Sequence, residues 1–136
     1  MIELVLALCL YRAHGALPDL RCTPGFADPF VTDTNVDRTI CLPEYEDRVR
    51  PNVFWQQQTL RASRLHYGDT NPSAYRLDFL IPLSLGGAAV PGNAWPIPVR
   101  FNRPKNLAEG TLHRLVCEHV ISLWAARALV STDWRG

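Results

Sequence analysis

Lysine is all but missing from this chain: Lys105 stands alone among 14 basic residues, and the others are all arginine. Arginine suits bidentate contacts with phosphate, although a genome's base composition accounts for the bias as well. An excess of either charge is also missing. With 14 Lys+Arg against 13 Asp+Glu the net charge is +1, which excludes a generic polybasic nucleic-acid binder and an acidic tail protein. Any phosphate contact must therefore come from local clustering. No apolar run approaches the roughly 18–20 residues needed to cross a bilayer, so no membrane span is expected. The four cysteines contain no Cys-x-x-Cys pair, which argues against a cysteine zinc site. Internal repeats and low-complexity tracts are absent too.

What is present fits one folded domain. The chain has 136 residues, 47% of them hydrophobic, with 20% charged and 10% aromatic. That is enough apolar surface for a core and is not the composition of a disordered chain. Leu4 to Leu10 is an uninterrupted apolar run, followed by Tyr11, Arg12 and the small-residue stretch Ala13-His14-Gly15-Ala16. This resembles the core and cleavage region of a secretory signal, although Glu3 stands where a positive residue is usual. Residues 1–16 are therefore expected to be a leader and 17–136 the domain; the alternative is a buried N-terminal strand or helical turn. Under the leader reading the protein is secreted or periplasmic, and otherwise cytoplasmic. Removing Cys9 with a leader leaves Cys22, Cys41 and Cys117. Cys22 and Cys41 bracket a loop rich in Pro, Thr and Asp and are the expected disulfide, worth about 3 kcal/mol on chain-entropy grounds. Cys117 is expected in the core, on an apolar helix face.

Five prolines fall within residues 17–53, at positions 18, 24, 29, 43 and 51, and predict an irregular, turn-rich segment, with a short helical turn within Thr32 to Ile40. Phe54 to Tyr67 reads as a helix, with Trp55, Leu60 and Leu65 on its apolar face and Gly68 as its stop. Tyr75 to Leu85 is an extended run broken by Pro82. Residues 86–103 read as a long loop, and Pro104 as the first turn of a helix reaching about His119. Ser122 caps a last helix, after which Trp134 folds back on the core.

Asp78 lies on the extended run, Asn93 in the loop, and Glu109 and His113 one turn apart on the following helix. Oxygen and imidazole donors of this kind suit a divalent cation, but spacing alone is a weak signal. The stretches DFLIPLSLGG, NAWP and TLHRLVC resemble the HNH endonuclease superfamily, whose core is the ββα-metal motif. RCTPGFADP, TICLPEY, VRP, YGDTNPSAYRLD and ISLWAARALVSTDW extend the likeness, over about residues 20–134, to a group of small exported bacterial HNH-like proteins. The resemblance implies an α+β fold: an HNH-like ββα core with flanking helices and a proline-rich, irregular N-terminal segment.

It also implies roles. Asp78 and His113 become ligands of a divalent metal (Mg, Mn or Zn), Glu109 a further ligand or a supporting group, and Asn93 the residue that orients the general base. Arg100, Arg103, Lys105 and Arg114 become phosphate contacts, and DNA the expected nucleic-acid partner. The pattern breaks at Phe79, which stands where the family carries its general-base His. That base is typically worth about 10²–10⁴-fold in rate. Leu77 replaces an acidic residue common before the pair, and Gly110 interrupts the metal-bearing helix. His66 could replace the base only if its helix packs over the strand, and His119 points to another side of its helix, so a structural role is the expectation for both. The expectation is a nuclease-like protein, active on phosphodiesters by ancestry but with weak or lost activity and its metal possibly lost with it. Two other readings stand beside it: a working nuclease with another base, and a non-catalytic module binding nucleic acid or protein.

Overall fold

The computed structural model describes residues 8–135. It is α+β: β1 (Tyr75–Phe79) and β2 (Ala94–Pro98) form an antiparallel pair, with Tyr75 opposite Pro98 and Phe79 opposite Ala94. β2 lies inside the segment expected as loop, and its prolines explain why it was unreadable. Just beyond the ladder the Leu80 amide donates to Asn93 O at 2.8 Å. Hydrogen-bonded pairs alternate along an antiparallel ladder, so Asp78–Trp95 and Arg76–Ile97 are the bonded pairs. Pro96 and Pro98 fall between them, where a missing N–H leaves no ladder bond unmade.

Helices cover both faces of this pair. α2 (Val53–Tyr67) is capped by the Asn52 side chain, which accepts from the Trp55 amide, and ends at Gly68 in the left-handed conformation. α3 (Val99–Cys117) follows β2 without a loop. Successive strand residues point to opposite faces: Phe79 stacks on Trp55 of α2, whereas Asp78 pairs with Lys105 of α3. Pro104 sits inside α3 rather than in its first turn, because the helix starts directly after the strand. Of the apolar face expected on α2, Leu65 is 70% exposed and does not belong to it.

A short helix, α1 (Tyr45–Val49), and α4 (Leu123–Asp133) complete the described α-helices, and a 3-10 turn at Val36–Arg38 lies within the segment expected to hold one. The Ser122 hydroxyl caps α4 by accepting from the Ala125 amide at 3.0 Å. Leu123, Ala126 and Val130 of α4 pack with Val116, Leu85, Ile40 and the chain near Leu17 to form the main core. Trp134 closes it, its indole N–H donating to Ala16 O at 2.8 Å. None of the described helices is long and apolar enough to cross a membrane.

One sequence expectation, the disulfide pairing, is corrected here. The disulfides are Cys9–Cys22 and Cys41–Cys117, not Cys22–Cys41. Cys22 lies beside β2 where the N-terminal segment runs past it, and Cys41 lies against the last turn of α3, so Cys117 is a cross-link rather than a core residue. The first four residues of the apolar run, 4–7, fall outside the described residues. Residues 8–16 are built into the fold. The Cys9 amide donates to His66 O at 2.8 Å, Arg12 bridges to Leu17, and Ala16 is fully buried.

Two predictions follow from these features. Thiol titration of the unfolded, unreduced protein should find no free thiol, while a chain begun at residue 17 should show one, Cys22. Converting both Cys41 and Cys117 to Ser should cost about 4–5 kcal/mol in denaturant unfolding. Separately, a Cβ added at Gly110 meets nothing within 4 Å, so Gly110→Ala should stabilise the protein by roughly 0.5–1 kcal/mol.

Candidate functional site

The chemistry-bearing residues gather where the end of β1 meets the inner face of α3. Lys105 and Glu109 lie one turn apart on that face and are both turned inward. The Lys105 ammonium is 2.7 Å from Asp78 Oδ2, 2.6 Å from Glu109 Oε2 and 2.9 Å from Phe79 O. Its side chain has 0% exposure, and its three N–H donors meet three acceptors. The Trp95 indole N–H donates to the same Asp78 oxygen at 2.7 Å. Burial alone would lower the Lys105 pKa, but Asp78 and Glu109 outweigh it and hold the ammonium above its ordinary value. Glu109 is pushed up to about 7, chiefly by burial. The attraction of Lys105 outweighs the repulsion of Asp78 and Glu46 but does not offset the burial.

This arrangement does not fit the divalent metal that the resemblance implies. Asp78 and Glu109 do converge, but on an ammonium held by three hydrogen bonds, which a dication would have to expel. His113 is turned elsewhere. Its Nε2 lies 2.9 Å from Ile40 O and 3.6 Å from Cys117 Sγ, because the Cys41–Cys117 bond holds the 36–42 segment against that part of α3. Among the described residues no three His, Cys, Asp or Glu side chains are grouped to hold a metal ion.

Asn93 is fully buried, and its whole hydrogen-bonding capacity goes to backbone. Oδ1 accepts from the Ile81 amide at 3.0 Å and the Phe26 amide at 3.3 Å. Nδ2 donates to Ile81 O and Ala88 O, both at 2.9 Å. It therefore staples the loop that leaves Phe79. The Phe79 ring itself lies 6.2 Å from the Trp55 ring, on the α2 side and away from Asp78. Neither alternative histidine reaches the cluster: His66 lines a cavity with Trp55, Thr59 and Tyr67, and His119 Nε2 is 3.2 Å from Asp37.

The expected phosphate contacts divide. Lys105 is removed from them by burial. Arg100, Arg103 and Arg114 share the outer stripe of α3, but Arg100 donates to His14 O at 2.8 Å and Arg114 lies 3.4 Å from Glu118. Arg103 is exposed. Beside the buried cluster is a cavity of about 150 Å³ lined by Glu46, Arg50, Phe79, Asn106 and Glu109. It continues, through the shared Gln56 and Leu77, into one of about 350 Å³ lined by Val53, Gln57, Leu60, Arg76 and Asn102. No protein-family model, curated protein or solved structure matches the chain.

Sequence reasoning missed the central role of Lys105. Its signal was available, since the one lysine of an arginine-rich chain stands four residues before Glu109. Nothing in the sequence singled out Trp95. Lys105→Met should destabilise the protein by about 3–5 kcal/mol, because two buried carboxylates lose their partner, and adding Asp78→Asn with Glu109→Gln should recover much of that loss. The raised Glu109 pKa sets a sign. Its contribution to stability is fully present below the unfolded value near 4.5 and is lost as pH rises through about 7. The stability of the unaltered protein relative to Glu109→Gln should therefore fall across that window in unfolding titrations, and level off on either side.

Proposed function

We propose that this chain is an HNH-type ββα scaffold that binds a partner without hydrolysing phosphodiesters. The observation that carries this reading is Lys105, whose ammonium stands at the meeting point of Asp78 and Glu109, where the resemblance would put a dication. Metal-assisted hydrolysis requires an ion with open positions for water and phosphate. The ammonium's donors are all engaged by protein acceptors. Phe79 removes the general base in the same reading. The strand–strand–helix order of β1, β2 and α3 supports the choice of scaffold.

A protein partner is favoured over nucleic acid. Lys105 is out of reach of phosphate, Arg100 and Arg114 have local partners, and a net charge of +1 supplies little counterion release. Two disulfides support export to an oxidising compartment, periplasmic or extracellular.

Calorimetric titration with Mn²⁺ and Mg²⁺ should give no binding isotherm with the unaltered protein. Lys105→Ala, with its fold checked by near-UV circular dichroism, should gain one for Mn²⁺ that Asp78→Asn removes. Phe79→His alone should not produce chelator-sensitive nicking of plasmid DNA, because Lys105 remains in place. Chelator-sensitive nicking by the unaltered protein, abolished by Asp78→Asn, overturns the proposal.

A further inference from the structure

The two outer edges of the sheet are finished differently. Along β2, Pro96 and Pro98 present no N–H, and Tyr11 Oη covers Pro96 O at 2.7 Å. Along β1, the register turns the N–H and C=O groups of Tyr75, Leu77 and Phe79 outward. Phe79 O is taken by Lys105 at 2.9 Å and Tyr75 O by its neighbour's Arg76 Nη1 at 3.1 Å. Leu77, at the centre of the edge, has neither its N–H nor its C=O paired among the described residues. An open strand edge is a template for another strand.

This edge lies along the groove between α2 and α3 formed by the two cavities that meet at Leu77 and Gln56. Gln57 on one wall, and Asn102 and Asn106 on the other, carry carboxamides whose donors and acceptors have no protein partner among the described residues. Such groups complement the outer edge of an added peptide strand. The middle of the groove is apolar, with Leu60 on its wall and Val53 65% exposed. Its ends differ in charge. At the end near Phe79 the carboxylates are already matched, Glu46 by Arg50 at 3.8 Å and Glu109 by Lys105 at 2.6 Å, whereas Arg76 lines the other with no carboxylate beside it in the lining.

We propose that the groove docks an extended segment of a protein partner, which joins β1 as a third strand. The lining selects a segment with an aliphatic residue over Leu60 and Leu77 and an acidic residue toward Arg76. This names the partner class for the binding reading above, and it stands on the strand edge rather than on the lysine.

The test uses the full, oxidised chain and a displayed library of linear ten-residue peptides. In the free protein the Leu77 amide should exchange with solvent at least tenfold faster than the amides of Arg76 and Asp78. Enriched peptides should carry an aliphatic residue followed or preceded by an acidic one and slow Leu77 exchange at least tenfold. Leu77→Pro, which removes one outward N–H and leaves the pairing with β2, should weaken them at least tenfold, as should Arg76→Glu. If Leu77→Pro does not fold, amide protection in the unaltered chain decides. A Leu77 amide already protected in the free protein, no enriched peptide, peptides that leave its exchange unchanged, or protection by single-stranded DNA instead of peptide each overturn the proposal. Chelator-sensitive nicking would sink the lysine reading and leave this one intact, whereas failure at Leu77 does the reverse.

Discussion

A lysine ammonium with no access to solvent dictates what surrounds it. Removing such a charge from water costs several kcal/mol even after relaxation, and the fold meets that cost with two carboxylates and a carbonyl around Lys105. Each partner comes from a different constraint. Asp78 is turned to the α3 face by strand alternation, Glu109 is brought by helical spacing, and Phe79 O is freed by the outward-facing register of β1. The triad thus locks the end of β1 to the middle of α3. A buried ion cluster is not by itself a source of stability, since apolar groups of the same shape often do as well. Its contribution is to fix which residues of the strand and the helix face one another.

The fold was legible in the sequence where one physical signal acted alone. Gly68 ends a helix whose interior has no breaker, as expected, and Ser122 opens another at the predicted place. β2 was hidden because two prolines in five residues read as loop, and only the register tells that both face away from the ladder. The start of α3 was misplaced for a related reason: Pro104 suits a first turn, but the chain had already entered the helix directly from the strand. Periodicity puts Leu65 on a buried face, yet it lies on the side of α2 turned to solvent.

The site was legible in its residues but not in its chemistry. Asp78 and Glu109 do meet, and spacing placed them correctly. Spacing could not say which cation lies between them, because a lysine on the same helix face competes with any external ion as an intramolecular partner, at high effective concentration. His113 shows the complementary limit. It shares a helix face with Glu109, but a cross-link between Cys41 and Cys117, 76 residues apart, brings Ile40 O to its ring. A contact set by a long-range covalent bond leaves no local trace. The same holds for Cys9, whose partner becomes evident only once the N-terminal segment is seen beside β2.

A sheet of two strands cannot stand alone in water, and this one is held by helices on both faces and by the N-terminal segment along one edge. Covering the second edge would require another strand, or a helix laid across the groove between α2 and α3. The chain instead closes the two ends of β1, with Lys105 on Phe79 O and Arg76 on Tyr75 O. The middle is left open. Natural edges are usually blunted by charge, proline or a bulge at their centre, and Leu77 is none of these. Leaving an aliphatic residue and its free amide at that position, between walls of unpaired carboxamides, is a cost in the isolated protein that a third strand from a partner removes.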